Sequence, residues 1–290
     1  MNHPAELKVH KFLTDVRNGE AAMTDEALAR VVSDVSEALD KQFGEGSRGP
    51  FSLRMSNIGR PYCQLWYEKN HPELAEPLPS TFIMNMLIGD IVEAAFKGIL
   101  KAAGVEFSDG HKCSAQFGEH TIEGTHDIVI DGKVDDIKSA SPWSYKNKFA
   151  DYDTLAEHDS FGYIGQLVGY SKALGIPAGG WWVVNKGNGE FKYVQADGLK
   201  LPSTIELHEK EVQDKADKLN DNTFYRCFDD EAETFRGKST GNRKLNGECG
   251  WCRYKESCWP DAKLLPSIPS QAKEPPLVWY TYVNEEDSTG

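Results

Sequence analysis

The chain of 290 residues contains no run close to the ~18 uninterrupted apolar residues that a membrane helix needs. Its opening, MNHPAELKVHKF, lacks the charged start and apolar run of a secretory signal, so a cytoplasmic, intracellular protein without a membrane partner is expected. Positive charge is scarce: 32 Lys+Arg stand against 45 Asp+Glu, a formal charge of −13 with a pI of about 5.1. This excludes the broad, sequence-independent affinity for nucleic acid that a basic protein shows. Cysteines number only 6, too few and too unevenly spread for a disulfide framework. An internal repeat is missing, which excludes a solenoid, and so is a Walker motif, which excludes a P-loop ATPase. What is present is ordinary: at 39% hydrophobic and 11% aromatic residues the chain can bury a sizeable core as one large domain or two small ones.

Periodicity divides the chain. From Thr24, a capping residue, TDEALARVVSDVSEALDKQF sets Leu28, Val31, Val32, Val35 and Leu39 on one stripe of a helix that Gly44 to Gly49 break. Ser56 is expected to cap a short helix through Cys63 to about Tyr67, and a longer one spans roughly 80 to 103, closed by Gly104. Between 111 and 138 the period changes to two: IEGTHDIVI and KVDDIKS flank Asp131-Gly132, a strong hairpin signal. There follow a helix at about 154 to 174, an apolar strand GGWWVVN, its partner FKYVQAD, and a charged helix from Pro202 to Asn222. After Pro260 the Pro-rich LPSIPSQAKEPP and the acidic EEDSTG read as an extended tail with weak order. The order predicts an α/β protein with a mixed central sheet flanked by helices, plus an N-terminal helical segment and a C-terminal cysteine cluster. The expected divisions are 1–75, 76–200, 201–262 and 263–290.

The stretch richest in chemistry is Asp127 to Lys138. Side chains alternate along a strand, so Asp136 and Lys138 share one face while Asp135 and Ile137 share the other. If the strands pair through Asp131-Gly132, opposed residues have numbers summing to 263, which sets Asp127 against Asp136. Two carboxylates and one ammonium then converge, a grouping suited to Mg²⁺ or Mn²⁺, which take hard oxygen ligands and can activate water against a phosphodiester. An isolated Asp-x-Lys beside a turn is usually a pair of solvated strand charges. Here Glu93 sits on a largely apolar helix before it, and Gln166 and Tyr170 share one face of the helix after it.

The set resembles the PD-(D/E)XK nucleases of the RecB type. Their ordered pattern of a Glu in a G-x-x-x-E helix, an Asp in G-x-x-D, a D-x-K strand and a Q-x-x-x-Y helix is met by Gly89 to Glu93, Gly124 to Asp127, Asp136 to Lys138, and Gln166 to Tyr170. The match covers roughly residues 85 to 175. It implies a restriction-endonuclease-like core and a divalent metal held by Glu93, Asp127, Asp136 and the carbonyl of Ile137. Lys138 would orient or deprotonate the attacking water, and Gln166 and Tyr170 would support the site or the DNA backbone. Asp135 is the rival of Asp136, because a bulge at the turn would exchange their faces. His126 is read as structural or as a neighbour of substrate.

Cys249, Cys252 and Cys258 form C-x2-C-x5-C, with Cys63 far upstream, while Cys113 and Cys227 stand alone. Four thiolates suit zinc or an iron-sulfur cluster. One cysteine before the nuclease core and three after it resembles the [4Fe-4S] staple of one RecB-type branch, which includes CRISPR-associated adaptation exonucleases and the nuclease domains of some helicase-nucleases. That resemblance implies a structural cluster on Cys63, Cys249, Cys252 and Cys258, closing a loop of roughly 200 residues. Trp251, Tyr254 and Trp259 are expected to shield it from solvent.

Charge is also uneven. Between Arg236 and Lys255 six basic residues face one acid, Glu248, and Arg48, Arg54 and Arg60 precede Cys63. Lys146, Lys148, Arg243 and Lys244 are therefore the candidate DNA contacts. The expectation is a metal-dependent DNA exonuclease acting on ends in recombination, repair or replication, a phage-encoded protein among the settings it fits. A helicase or recombination protein is the natural partner, and a homo-oligomer is open. The alternatives are a catalytically idle DNA-binding module of the same fold and a zinc-stabilised protein of other chemistry.

Overall fold

The computed structural model describes residues 3–44 and 49–284. Arg48 and the acidic end from Glu285 onward lie outside the described residues. In chain order the elements are α1 (Pro4–Arg17), α2 (Asp25–Phe43), α3 (Tyr62–Asn70), α4 (Ser80–Ala102), β1 (Ser108–Asp109), β2 (Lys112–Phe117), β3 (His120–Thr125), β4 (Ile128–Ile130) and β5 (Lys133–Ala140). There follow α5 (Tyr152–Glu157), α6 (Tyr163–Leu174), β6 (Ala178–Asn185), β7 (Phe191–Gln195), α7 (Pro202–Asp221), β8 (Glu231–Phe235), β9 (Lys238–Lys244), α8 (Gly247–Trp251), α9 (Lys255–Cys258), β10 (Lys263–Pro266) and β11 (Leu277–Tyr282). A π-turn, Ser144–Lys148, follows β5. The chain forms two compact units, residues 1–59 with 79–217 and residues 60–78 with 218–290. Each unit is built from two separated stretches of the chain.

The first unit is mixed α/β: a five-stranded sheet ordered β1-β4-β5-β6-β7, in which only β5 and β6 run parallel, with helices on both faces. Strand alternation supplies each face with its own core. Val134, Trp181 and Val183 pack with Ile164, Leu167 and Val168 of α6, while Ile137 and Trp182 pack on the other side with Val9 of α1 and with Phe96 and Leu100 of α4. Thr24 caps α2 by accepting from the Ala27 amide. The stripe expected on α2 is only partly buried, however. Ala27 and Ala38 are covered, Val31 and Val35 half-covered, and Leu28, Val32 and Leu39 exposed, because the small residues let α2 lie close to α4. Gly98 of α4 marks that approach: a Cβ there would stand 2.2 Å from Val31 Cγ2.

The hairpin at Asp131-Gly132 forms as the sequence predicts, both residues having positive φ (49° and 72°), the geometry of a type I′ turn. Its register is Ile130 to Lys133, Val129 to Val134 and Ile128 to Asp135. IEGTHDIVI is not one strand: its first half is β3, paired with β2 in a separate two-stranded sheet, and the chain breaks at His126-Asp127 before β4. The helix expected at 154 to 174 is likewise two, α5 and α6, parted where Asp159 caps α6 by accepting from the amides of Tyr163 and Ile164. No helix begins at Ser56; α3 starts at Tyr62, after Pro61.

The second unit holds an antiparallel sheet ordered β10-β11-β9-β8 beside α3, α8 and α9. Residues 263 to 284 are thus not a weakly ordered tail; β10 and β11 are sheet strands. A buried carboxylate, Glu233, anchors them by accepting from Tyr280 Oη (2.6 Å), Asn242 Nδ2 (2.9 Å) and Thr240 Oγ1 (2.9 Å). The β8–β9 turn uses Arg236 and Gly237, again both at positive φ.

Candidate active site

β4 stops one residue short of Asp127, and this shapes the site. In a strand the N–H and C=O of one residue point to the same side. Ile137 therefore presents both groups where β4 no longer continues, and Asp127 Oδ2 accepts the Ile137 N–H at 2.7 Å in place of a ladder partner. Asp127 thus sits opposite Asp136, as the register of 263 requires, and the Ile137 carbonyl faces the same opening. Asp136, 1% exposed, pairs with Lys138, whose Nζ stands 2.8 Å from Oδ1 and 2.6 Å from Oδ2. Oδ2 nevertheless receives no hydrogen bond with acceptable angles.

Glu93 reaches the group from α4 and pairs with Lys97 at 2.5 Å. Gly89 faces β5 without being needed for the approach, since a Cβ there would make an ordinary contact, 3.5 Å from Ser139 Oγ. Gly124 has a firmer reason to be glycine: a Cβ would stand 2.8 Å from Tyr170 Cε1 and 2.9 Å from Met55 Cβ. Gln166 Nε2 donates to Tyr170 Oη at 3.0 Å, joining the two α6 residues as their spacing predicts.

The electrostatics are those of crowded acids. Burial, then the neighbouring Asp136, pushes Asp127 up to about 6. Burial and Asp127 raise Glu93 despite Lys97, and burial raises Asp136 despite Lys138. Burial opposes the charge on Lys138, but Asp136 and Asp127 outweigh it and hold the ammonium protonated. Tyr170 is raised mainly by burial. Asp135, the rival, faces the other way. It accepts from Trp182 Nε1 (3.2 Å) and Tyr193 Oη (2.9 Å), and burial lifts it to about 7. His126 is buried, its Nδ1 3.1 Å from the His111 carbonyl, which suits a structural residue.

Among the described residues no three His, Cys, Asp or Glu side chains stand ready around one point as a metal site. Glu93 is turned to Lys97, Asp127 to the Ile137 amide and Asp136 to Lys138. The donor set is nonetheless one of hard oxygens, three neighbouring carboxylates raised by burial, with Asp136 raising Asp127 and Asp127 raising Glu93, a crowding that a divalent cation would relieve. The residues present fit Mg²⁺ or Mn²⁺.

Of the proposed DNA contacts only Lys146 is exposed and outside the ion pairs formed among the described residues. Lys148 is buried, its Nζ 4.8 Å from the Phe161 ring centroid and 3.5 Å from Ser160 Oγ, so it does not reach out to a phosphate. Arg243 pairs with Asp230 and Lys244 with Glu231 (3.0 Å), acids on or beside β8.

In the second unit Cys63, Cys249 and Cys258 are buried and Cys252 half-buried, each close enough to influence the others' ionisation. Burial pushes Cys249 and Cys252 up to about 11. Cys227 does not stand alone: its Sγ accepts the Cys63 amide at 3.0 Å, and a thiol–thiol hydrogen bond lowers Cys63 to about 7. Only three-dimensional proximity reveals that contact, because 164 residues separate the pair. Tyr254 stacks on Tyr67 (5.1 Å, 11°) and Trp259 lies under Arg226 (4.1 Å), but Trp251 is 90% exposed and shields nothing. The buried Trp259 Nε1–H, without an acceptor of good geometry, adjoins Cys249. A soft sulfur acceptor there would satisfy it, so these residues fit a sulfur-rich cluster.

No family model and no curated protein matches the chain. It is similar to a solved chain titled "Crystal structure of SSO0001", at 15% identity over 77% of this chain and 93% of that one, with a TM-score of 0.44, too low to argue function from.

Proposed function

We propose that the protein is a metal-dependent DNA exonuclease of the PD-(D/E)XK type, with a restriction-endonuclease-like core and a structural [4Fe-4S] cluster in its second unit. The observation that carries this reading is the convergence of Asp127, Asp136, Lys138 and the open Ile137 backbone at the early end of β4, with Glu93 supplied by α4.

Glu93, Asp127, Asp136 and the Ile137 carbonyl would hold Mg²⁺ or Mn²⁺, which supplies charge neutralisation and Lewis-acid activation when bound. The chain's own groups do the rest. Lys138, kept protonated by its carboxylates, orients the attacking water and offers a positive charge to the phosphate. Gln166 and Tyr170, linked by their hydrogen bond, brace the wall behind it. Gly124 leaves room for the Tyr170 ring. Cys63, Cys249, Cys252 and Cys258 would hold the cluster, tying residues 60–78 to 218–290 within one unit.

The test is digestion of end-labelled single- and double-stranded DNA, under anaerobic conditions, with Mg²⁺ or Mn²⁺ and with chelator. Metal-dependent shortening from ends that Lys138→Ala abolishes is expected; cleavage that survives this substitution refutes the assignment. A binding-only module would retain DNA and cut nothing under any metal.

A further inference from the structure

Lys138 is not the end of its chain of contacts. Its Nζ lies 5.3 Å from the centroid of the Tyr163 ring, Tyr163 stacks against Phe161 (5.7 Å, 19°), and the buried Lys148 ammonium sits by both rings, at 4.8 Å from Phe161 and 5.7 Å from Tyr163. The outermost member, Phe161, is 62% exposed. A single exposed phenylalanine is unremarkable on a protein surface. This one is the visible end of a continuous stack that begins at the site's lysine.

The backbone that carries the ring is also held in place. Phe161 lies between Asp159, which caps α6 through two amides, and Gly162, whose φ is +73°. Gly162 passes so near Gly59 that a Cβ on either would stand 2.0 Å from the other's Cα. A backbone pinned at both ends presents the ring at little entropic cost on binding. Lys146, exposed on the adjoining π-turn, adds a positive charge that suits a polyanion beside the ring.

We infer that the outer face of Phe161 is a stacking platform for a nucleobase of single-stranded DNA entering the site, or for the last base of a frayed end. In a duplex interior both faces of each base are already covered, so only an unpaired or terminal base offers a free face to the ring. The inference rests on the proposed function for the identity of the site and adds to it a preference for unpaired DNA.

The test compares two fluorescent 12-nucleotide strands of equal charge, oligo(dT) and one made of abasic sites, by anisotropy with the full-length protein and no added divalent metal. Wild type is expected to favour oligo(dT) by about tenfold, the scale of one base–aromatic stack. Phe161→Ala should bind both strands at the abasic level, and Phe161→Trp should restore the preference. The inference is overturned if wild type does not discriminate, or if Phe161→Ala discriminates as wild type does. Cleavage assays on the same strands separate the two ideas. Base-dependent binding through Phe161 without any cleavage upholds the platform and removes the nuclease reading. Cleavage with no base-dependent binding removes the platform alone.

Discussion

Asp135 and Asp136 are chemically identical neighbours on β5, yet strand alternation assigns them opposite consequences, and Asp135→Asn measures the difference. Asp135 is 1% exposed, accepts from Trp182 and Tyr193, and keeps its proton up to about pH 7, whereas in the unfolded chain it would lose it near ~3.9. Between those values the folded protein binds more protons than the unfolded one, so its stability is fully present at low pH and declines as pH rises. Integrating that difference from pH 5 to pH 8 gives a loss of about 3 kcal/mol from this one group. Asparagine matches the shape, can accept from Trp182 and donate to Tyr193, and does not titrate. Urea unfolding at pH 5, 6, 7 and 8 should therefore show Asp135→Asn close to wild type at pH 5 and more stable at pH 8, equivalent to roughly 5–10 °C in melting temperature. Other raised groups, Asp127 among them, keep part of the slope in both proteins. If the variant loses stability with pH as steeply as wild type, or is weaker at pH 8, Asp135 is not a buried acid held against its charge. DNA cleavage should survive this substitution.

By contrast, Asp136→Asn should reduce cleavage by roughly 10²–10⁴-fold while leaving the melt near that of wild type, since it removes one charge from a group of crowded acids. Lys138→Ala should reduce cleavage as much and also lower the melt, since it leaves Asp136 buried without its counter-charge. Gly124→Ala forces a methyl against Tyr170 and Met55 and should destabilise the first unit by about 1–3 kcal/mol, read by urea unfolding. Anaerobically purified protein should be brown and absorb broadly, and Cys249→Ser should lower its iron content; a colourless protein with stoichiometric zinc would refute the cluster. DNA affinity should fall only modestly with salt and rise with divalent metal, because among the expected contacts Lys146 alone is exposed outside an ion pair, while the metal neutralises phosphate at the site.

The hairpin register was legible because Asp131-Gly132 admits few geometries and the alternation on both sides agrees with it. The grouping of Asp127, Asp136, Lys138 and Ile137 followed directly. The break at His126-Asp127 was not legible, since IEGTHDIVI alternates without interruption; β3 leaves for another sheet because its partner, β2, lies there. The α2 stripe was visible, but which side packs depends on how closely α4 can approach, and Ala27, Ala38 and Gly98 decide that from two separate helices. β10 and β11 were hidden by the prolines between them, although a proline-rich loop linking edge strands is compatible with a sheet. The contact of Cys227 with Cys63 left no local trace at all.

The division of the second unit has a consequence for how the protein is made. Its first stretch, 60–78, leaves the ribosome well before its second, which begins at Lys218. Cys63 emerges roughly 190 residues ahead of Cys249, and at about 5–20 residues per second that is a wait of about 10–40 s. During that interval the first unit can collapse around its own sheet, while Cys63 remains without the other thiols of its unit. Any group that needs all four cysteines must therefore be inserted late in synthesis or after release. The yield of correctly loaded protein should then depend on how fast the last third of the chain is translated.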